Sequence, residues 1–367
     1  MKILHLPLWI PNKNNAQLGN FIQQQIELSS QDNEVFTIGF IADNSVNDIK
    51  IDKQLNAIIV TYQKSEIKLI TFLNYLKAVK TALRELKKVN FNPQIIHCHV
   101  AGRNLWLAQK YFKEVPIVLS EHWSGYLTGE FNNQPFYIKH YLLNKINKCH
   151  LAISVSSHLT EALVDAGFSL KINELANVID VKKKVAIGNS PEMNFFVVAD
   201  LVDHVKNISG VLNAFYSIKN NYPLLKLHVV GDGKDLSLLK GLTNSLEMND
   251  MVSFLGRKVQ NEVQDLLIQA DCIIVNSNFE TFSMITLESI LTGCPVIATK
   301  CGGPEQFVNE KNGLLIEKNN STALANAIEY MYLNKENYLP EKIRASVENK
   351  YTENYIRKEL NSIYNSI

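Results

Sequence analysis

Residues 280–305 read ETFSMITLESILTGCPVIATKCGGPE, and the reading of this stretch decides the fold. The apolar run DCIIVNS precedes it, a turn carries the chain through Glu280 to Ser283, and Met284, Leu287 and Leu291 then recur at helical spacing. Gly293-Cys294-Pro295 stops that helix, a second apolar run follows in Val296 to Thr299, and Gly302-Gly303-Pro304 turns the chain again. Strand, helix, strand in such short order predicts a parallel pair joined by a helical crossover.

The same rhythm runs outward in both directions. In the first half KILHLPLW, EVFTIGFI, NAIIVTY, QIIHCHV and IVLSEHW are strand candidates, with helical pattern in LITFLNYLKAVKTALRELKKV and LLNKINKCH. In the second half NFFVVADL, LKLHVVG, MVSFLG, DCIIVNS, CPVIATK and NGLLIE alternate with helices such as ISGVLNAFYSIKNN and STALANAIEYMYLN. Strands alternating with helices imply mostly parallel sheets covered on both faces. The expected organisation is two similar α/β domains, residues 1–175 and 176–349, with an irregular linker over 176–192 and a C-terminal helix over 350–367 crossing back to the first domain.

Composition narrows the possibilities. A chain of 367 residues, 46% hydrophobic and 20% charged, is long enough for two cores. Its 37 basic and 36 acidic side chains leave a net charge of +1, so no overall field points to nucleic acid. Cys98, Cys149, Cys272, Cys294 and Cys301 are odd in number and scattered, as expected of reduced thiols in a cytoplasmic enzyme. The N-terminal run is interrupted by Pro7 and reads as a first strand, and no apolar run approaches the roughly 18 to 20 residues that span a bilayer.

The chemistry is concentrated around the opening stretch. Glu280 falls in the loop and Glu288 on the helix, roughly 6 Å along the axis from a start near Met284. Unsatisfied N–H groups at Ser283, Met284 and Ile285 and the positive end of the helix dipole suit an anion. Ligands of open α/β sheets lie outside the carboxyl ends of the strands. That places a ribose diol near Glu288, a diphosphate at the helix start and a transferred sugar against Glu280, since carboxylates accept hydrogen bonds from vicinal hydroxyls.

Glu280, seven intervening residues, Glu288 and then TGCPVIATKCGGPE resemble the signature of the family-4 retaining glycosyltransferases, of the kind that build bacterial surface polysaccharides. The resemblance implies the GT-B fold: two Rossmann-like domains whose parallel sheets face each other across a cleft. It extends to LVDHVKNISGVLNAF, which implies Lys206 on the diphosphate, and to LHVVGDGKD and VSFLGR, whose Gly231 and Arg257 would wall the nucleotide. LPLWIPNKNNAQLGNFIQQQ is similar to the glycine-bearing loop after the first strand, with Gly19 on the donor side, and LSEHWSGY implies His122 near the donor sugar. Transfer from a nucleotide-diphosphate sugar to a glycan or lipid-linked acceptor, with retention, follows from the same resemblance, as does uridine as the base.

Two positions depart from the family pattern. Ala199-Asp200 stand where a cation is usual. Either Asp200 points away, or Arg257 or Lys258 supplies the second positive charge, or the donor is held weakly. Ser283 replaces a glycine but suits a helix N-cap. There is no Asp-x-Asp motif, so no metal or other cofactor is expected, and Lys206 with the helix start would stabilise the leaving group. His97-Cys98-His99 is expected to be strand packing, with both histidines on one face. Lys64, Lys68, Lys77, Lys80, Arg84, Lys87 and Lys88 outnumber Glu66 and Glu85 along one helical segment, which reads either as a solvated face or as a surface for anionic lipid at the inner face of a membrane. Two other functions share the fold: a nucleotide-sugar epimerase, and a non-catalytic homologue that binds sugar nucleotide.

Overall fold

The computed structural model describes residues 1–13, 18–179, 181–183 and 190–367. They form two units, residues 1–178 with 353–367, and residues 179–352. The first begins with β1 (Lys2–Pro7), α1 (Asn20–Ser30), β2 (Glu34–Asp43), β3 (Lys50–Gln54), β4 (Ala57–Gln63) and α2 (Lys68–Lys88). It continues with β5 (Ile95–His99), α3 (Arg103–Tyr111), β6 (Ile117–Glu121), α4 (Phe136–Ile146), β7 (Leu151–Ser154), α5 (Ser157–Asp165) and β8 (Ile172–Glu174). Its sheet runs β3-β4-β2-β1-β5-β6-β7-β8. All pairs are parallel except β3 with β4.

The second unit holds β9 (Met193–Val198), α6 (Asp203–Lys206), α7 (Ile208–Ile218), β10 (Leu225–Val230), α8 (Leu236–Ser245), β11 (Val252–Gly256) and α9 (Gln260–Gln269). Then come β12 (Cys272–Val275), α10 (Met284–Thr292), β13 (Val296–Thr299), β14 (Gly313–Ile316), α11 (Ser321–Asn334), α12 (Pro340–Ala345) and α13 (Glu348–Tyr351). Its sheet is parallel throughout, in the order β11-β10-β9-β12-β13-β14. The chain therefore lays strands to one side of β9, then returns and lays the rest on the other.

Local sequence explains these elements. Every residue of β5, β12 and β13 is buried, as strands covered on both faces require. Helix α7 turns Ile208, Val211, Leu212 and Phe215 inward at helical spacing. Helix α10 ends because Gly293 takes the left-handed conformation, φ 99°, where its amide reaches the carbonyls of Ser289 and Ile290 and a Cβ would meet Pro340. Strands β3, β7 and β8 lie outside the sequence expectation: β3 is mostly exposed and polar, and β7 and β8 have only four and three residues.

The boundary expected at 175/176 falls at 178/179, with Val178 and Ile179 both buried. Much of the expected linker, residues 180 and 184–189, lies outside the described residues. Of its three lysines, Lys182 pairs with Asp265 at 2.6 Å and Lys183 with Glu348 at 2.8 Å. The expected single helix over 350–367 is instead α13 followed, after Thr352, by α14 (Glu353–Asn365).

Helix α14 packs on the first unit. Ile356, Leu360, Ile363 and Tyr364 repeat at i, i+4, i+7 and i+8 and share a core with Ile3, Leu28, Val35, Ile95 and Val118. Tyr364 Oη lies 2.7 Å from His97 Nδ1, and His97 Nε2 lies 2.7 Å from Ser120 Oγ, so a buried polar chain ties the helix to β5 and β6. We predict that Leu360→Ala lowers the unfolding free energy by about 2–5 kcal/mol, the usual cost of emptying such a site, measured by denaturant titration.

Candidate functional site at the strand-order reversal

In an open parallel sheet, the point where strand order reverses leaves a crevice at the carboxyl ends, because the two flanking connections depart to opposite faces. In the second unit this point lies between β9 and β12. Lys206 ends the short helix after β9, and Glu280 sits in the loop after β12.

Backbone bonds bring the two segments together. The amide of Asn278 donates to Val205 O at 2.7 Å, its side chain to His204 O at 2.9 Å, and Asn276 to Asn207 O at 2.9 Å. Asp203 accepts from both the amide and hydroxyl of Ser209, at 2.8 and 2.6 Å, which locks the joint between α6 and α7. Glu280 is held by its own backbone, its amide donating to Cys301 O and its carbonyl accepting from Gly303, at 3.1 and 2.9 Å. A Cβ on Gly303 would lie 2.4 Å from the backbone of Phe282, so this turn needs glycine.

Within that frame Lys206 Nζ meets Glu280 Oε1 at 2.6 Å, and Ser277 Oγ donates to the same oxygen at 2.7 Å. Burial works against the ammonium, but the charge and hydrogen bond of Glu280 outweigh it, and the Lys206 pKa rises above 10.5. The ammonium is therefore held in its charged form. An ammonium has three donors, so Lys206 can hold Glu280 and still offer two to an anion. Both recorded bonds of Glu280 use Oε1, which leaves Oε2 to accept elsewhere.

The start of α10 lies just beyond Glu280. Ser283 occupies the N-cap position in the left-handed conformation, φ 66°. The expectation of a side-chain cap needs correction: its hydroxyl makes no cap bond and lies 2.7 Å from Thr286 Oγ1. An extended N-cap would aim that oxygen at the N3 amide, and the left-handed backbone turns it away. The amides of Met284 and Ile285 stand in the first turn, where the helix supplies no acceptor. Glu288 follows one turn later, only 6% exposed, taking a 2.8 Å bond from Gln260. Its burial raises the carboxyl pKa while the Gln260 bond pulls it down. Neither glutamate is a solvent-facing helix residue.

Asp200 is turned toward Arg257, whose Nη2 lies 2.7 Å from its carboxylate and 3.3 Å from Asp232 O. This pairing is none of the three expected readings of Asp200: Arg257 is engaged by the carboxylate itself. Gly231, φ 144°, allows β9 and β10 to close up: a Cβ there would lie 1.8 Å from Ala199 O.

His122 and Gly19 belong to the first unit. His122 follows β6 and is buried, with no hydrogen-bond partner on either ring nitrogen among the described residues. Its ring lies 4.6 Å from Phe21, which meets Trp9 edge-on at 6.2 Å. Gly19, φ 77°, opens α1 against Trp9, where a Cβ would lie 2.6 Å from the carbonyl. The fold thus brings Gly19 and His122 to one edge of the first sheet. Beside His122 stands Glu121, unremarked in the sequence, which accepts from the amides of Ala101 and His122 at 2.8 and 3.2 Å and from Tyr126 Oη at 3.3 Å. Burial pushes its carboxyl up to about 7 against the pull of those donors.

His97 and His99 share a face as expected, and His5 on β1 joins them. The three could offer one nitrogen each within 4.8 Å to a metal. Both nitrogens of His97 are engaged by Tyr364 and Ser120, and His5 Nδ1 is bonded to His99 Nε2 at 2.9 Å. His5 Nε2 and His99 Nδ1 are buried without a hydrogen-bond partner among the described residues, and burial lowers all three pKa values. The five cysteines are buried thiols.

Comparison with known proteins agrees with this architecture. Residues 180–350 match the family Glycosyl transferases group 1, and residues 40–183 match Glycosyltransferase Family 4. The chain belongs to the group 1 glycosyltransferases of the family-4 type, with the GT-B fold. It is 30% identical over 191 residues to N-acetyl-alpha-D-glucosaminyl L-malate synthase of Bacillus anthracis, covering 51% of this chain and 49% of that one. It is 26% identical over 214 residues to lipopolysaccharide 1,6-galactosyltransferase of Escherichia coli K12, covering 56% and 58%. The chain thus spans about half to three-fifths of the length of these curated relatives. Among solved structures, sucrose-phosphate synthase of Thermosynechococcus elongatus superposes with a TM-score of 0.79 at 17% identity, over 100% of this chain and 99% of that one. HepE of Anabaena in complex with UDP gives 0.78 at 19%, over 100% of both.

The Glu121 carboxyl yields a pH test. Its folded pKa, about 7, lies above the ordinary 4.5, so its contribution to stability is fully present below pH 4.5 and is lost as pH rises through 7. Relative to the parent, Glu121→Gln should therefore gain stability progressively between those limits, by up to about 3 kcal/mol, read from denaturation midpoints across the pH series.

Proposed function

We propose that the chain transfers a sugar from a nucleoside-diphosphate donor, a UDP-sugar, to a hydroxyl of a glycan or lipid-linked acceptor, with retention of anomeric configuration and without a metal. The observation that carries this reading is the meeting of Lys206 and Glu280 at the strand-order reversal, beside the start of α10. Retention and the uridine base rest on the family resemblance. The acceptor class draws on the lipopolysaccharide galactosyltransferase among the relatives.

In this reaction the bond from the anomeric carbon to the diphosphate breaks, and its electron pair leaves with the nucleoside diphosphate. The acceptor oxygen bonds to the same carbon and its proton is released. Charge growing on the leaving phosphates is met by the two remaining donors of Lys206 and the amides of Met284 and Ile285. Glu280 Oε2 orients the transferred sugar, and Glu288 takes the ribose diol in place of, or beside, Gln260. Arg257 offsets Asp200 so that the diphosphate meets no unpaired carboxylate, and Gly231 keeps the strand ends close behind the base. We assign His122 to a sugar hydroxyl and Gly19 to the loop on that side, since neither ring nitrogen of His122 has a hydrogen-bond partner among the described residues.

The epimerase alternative finds no support in the families matched. Incubation with a panel of nucleotide sugars should give nucleoside-diphosphate release stimulated by acceptor. Lys206→Ala should lower kcat/KM at least about a hundredfold, near 2.7 kcal/mol, more than any exposed lysine would. Isomerised sugar without release would overturn transfer. Rates should be unchanged by chelator; collapse with chelator and recovery with magnesium would overturn the metal-independent route.

A further inference from the structure

Helices on a doubly wound sheet bury one face and present a polar one to water, and two helices of the first unit do not obey this. Helix α2 buries Tyr75, Ala78, Val79, Ala82 and Leu86 on one side. On the opposite side of its first turns Leu69, Phe72 and Leu73, at i, i+3 and i+4, are exposed, Leu69 by 66%, with Ile67 and Ile70 beside them. The same outer line continues from Leu73 through Lys77, Lys80 and Arg84, at i+4, i+7 and i+11, all exposed. Helix α4 is stranger still: Ile146 is its one buried residue. Phe136 and Tyr137 are 78% and 71% exposed, and Ile138 and Tyr141 are exposed with them.

These are two ends of one surface. Helices α2 and α4 follow the parallel strands β4 and β6, so both begin at the carboxyl edge of the sheet, the edge that holds Gly19 and His122. Helix α3 joins them: Tyr75 Oη of α2 reaches Arg103 O, and Gln109 donates to Lys145 O of α4 at 2.7 Å. Strands β4 and β6 stand four places apart, roughly 19 Å at the usual spacing, so a flat surface can touch both.

Charge selects the partner. From residue 131 to residue 160 there is no carboxylate, while Lys139, Lys145 and Lys148 lie in or just after α4. On α2 Glu85 is taken up by Lys53 and Lys88, at 2.5 and 2.8 Å, on the inner side. The outer face is therefore aromatic and aliphatic at its start and cationic behind. We propose that the starts of α2 and α4 dock this edge of the first unit on an anionic lipid bilayer, Leu69, Phe72, Phe136 and Tyr137 entering the interfacial layer and the lysines meeting the headgroups. For the reading above, this would set the His122 edge against the surface where a lipid-linked acceptor lies.

The test uses the full chain and vesicles without donor, so that its failure is separate from failure of transfer. The chain should sediment with phosphatidylglycerol-phosphatidylcholine vesicles at low salt, weaken as salt rises, and stay in solution with phosphatidylcholine alone. Leu69→Ser with Phe72→Ser, and separately Phe136→Ser with Tyr137→Ser, should each lower partitioning at least about tenfold while the melting temperature stays unchanged, since neither pair is buried. Lys139→Gln with Lys145→Gln should flatten the salt dependence. No binding at low salt, equal binding to neutral vesicles, or binding indifferent to the apolar pairs would overturn the proposal. A dimer in solution that these substitutions dissolve would also overturn it, assigning the surface to a second copy.

Discussion

One ion pair, Lys206 with Glu280 at 2.6 Å, organises the candidate site of the second unit. Its members come from opposite sides of the sheet's reversal point, so the contact exists only if β9 and β12 are neighbours and their following loops are stitched together through Asn276 and Asn278. Each charge is partly desolvated and would be costly alone; together they keep the crevice charged but balanced. An anion entering beside them meets an ammonium already aimed and already ionised.

Around that pair the backbone supplies what side chains cannot. Gly303 and Gly231 stand where a Cβ would strike main-chain atoms, so the turns after β13 and β10 can pass close to their neighbours. The left-handed Ser283 swings the chain into α10 without covering the amides of Met284 and Ile285, and its own hydroxyl is spent on Thr286. A polar end is thereby left open at the place where a diphosphate would bind.

The first unit is built on a different economy. It encloses His5, His97, His99 and His122 and the Glu121 carboxyl in its interior, and is closed by α14, whose tyrosine hydroxyl completes the chain to His97. Neutral imidazoles and a carboxyl pushed up to about 7 by burial make this interior sensitive to pH. Its apolar surplus is carried on the outside, at the starts of α2 and α4.

Periodicity alone made all six strands of the second unit legible, because each is an apolar run cut by turn residues, and the Glu280-to-Glu305 spacing marked the site. Short or exposed strands such as β8 and β3 carry too little pattern to be seen. Lys206 and Glu280 were both visible as residues, but their contact was not, since they are 74 positions apart and only sheet order brings them together. Gln260 against Glu288, Arg257 against Asp200 and His5 beside His97 were hidden for the same reason. Glu121 gave no signal, because a carboxylate becomes unusual only once it is buried. Sequence determines which segments are strands and helices and which residue types stand at their ends; pairing partners, burial and the shifted pKa values depend on distances between remote segments, which exist only after the sheets have formed.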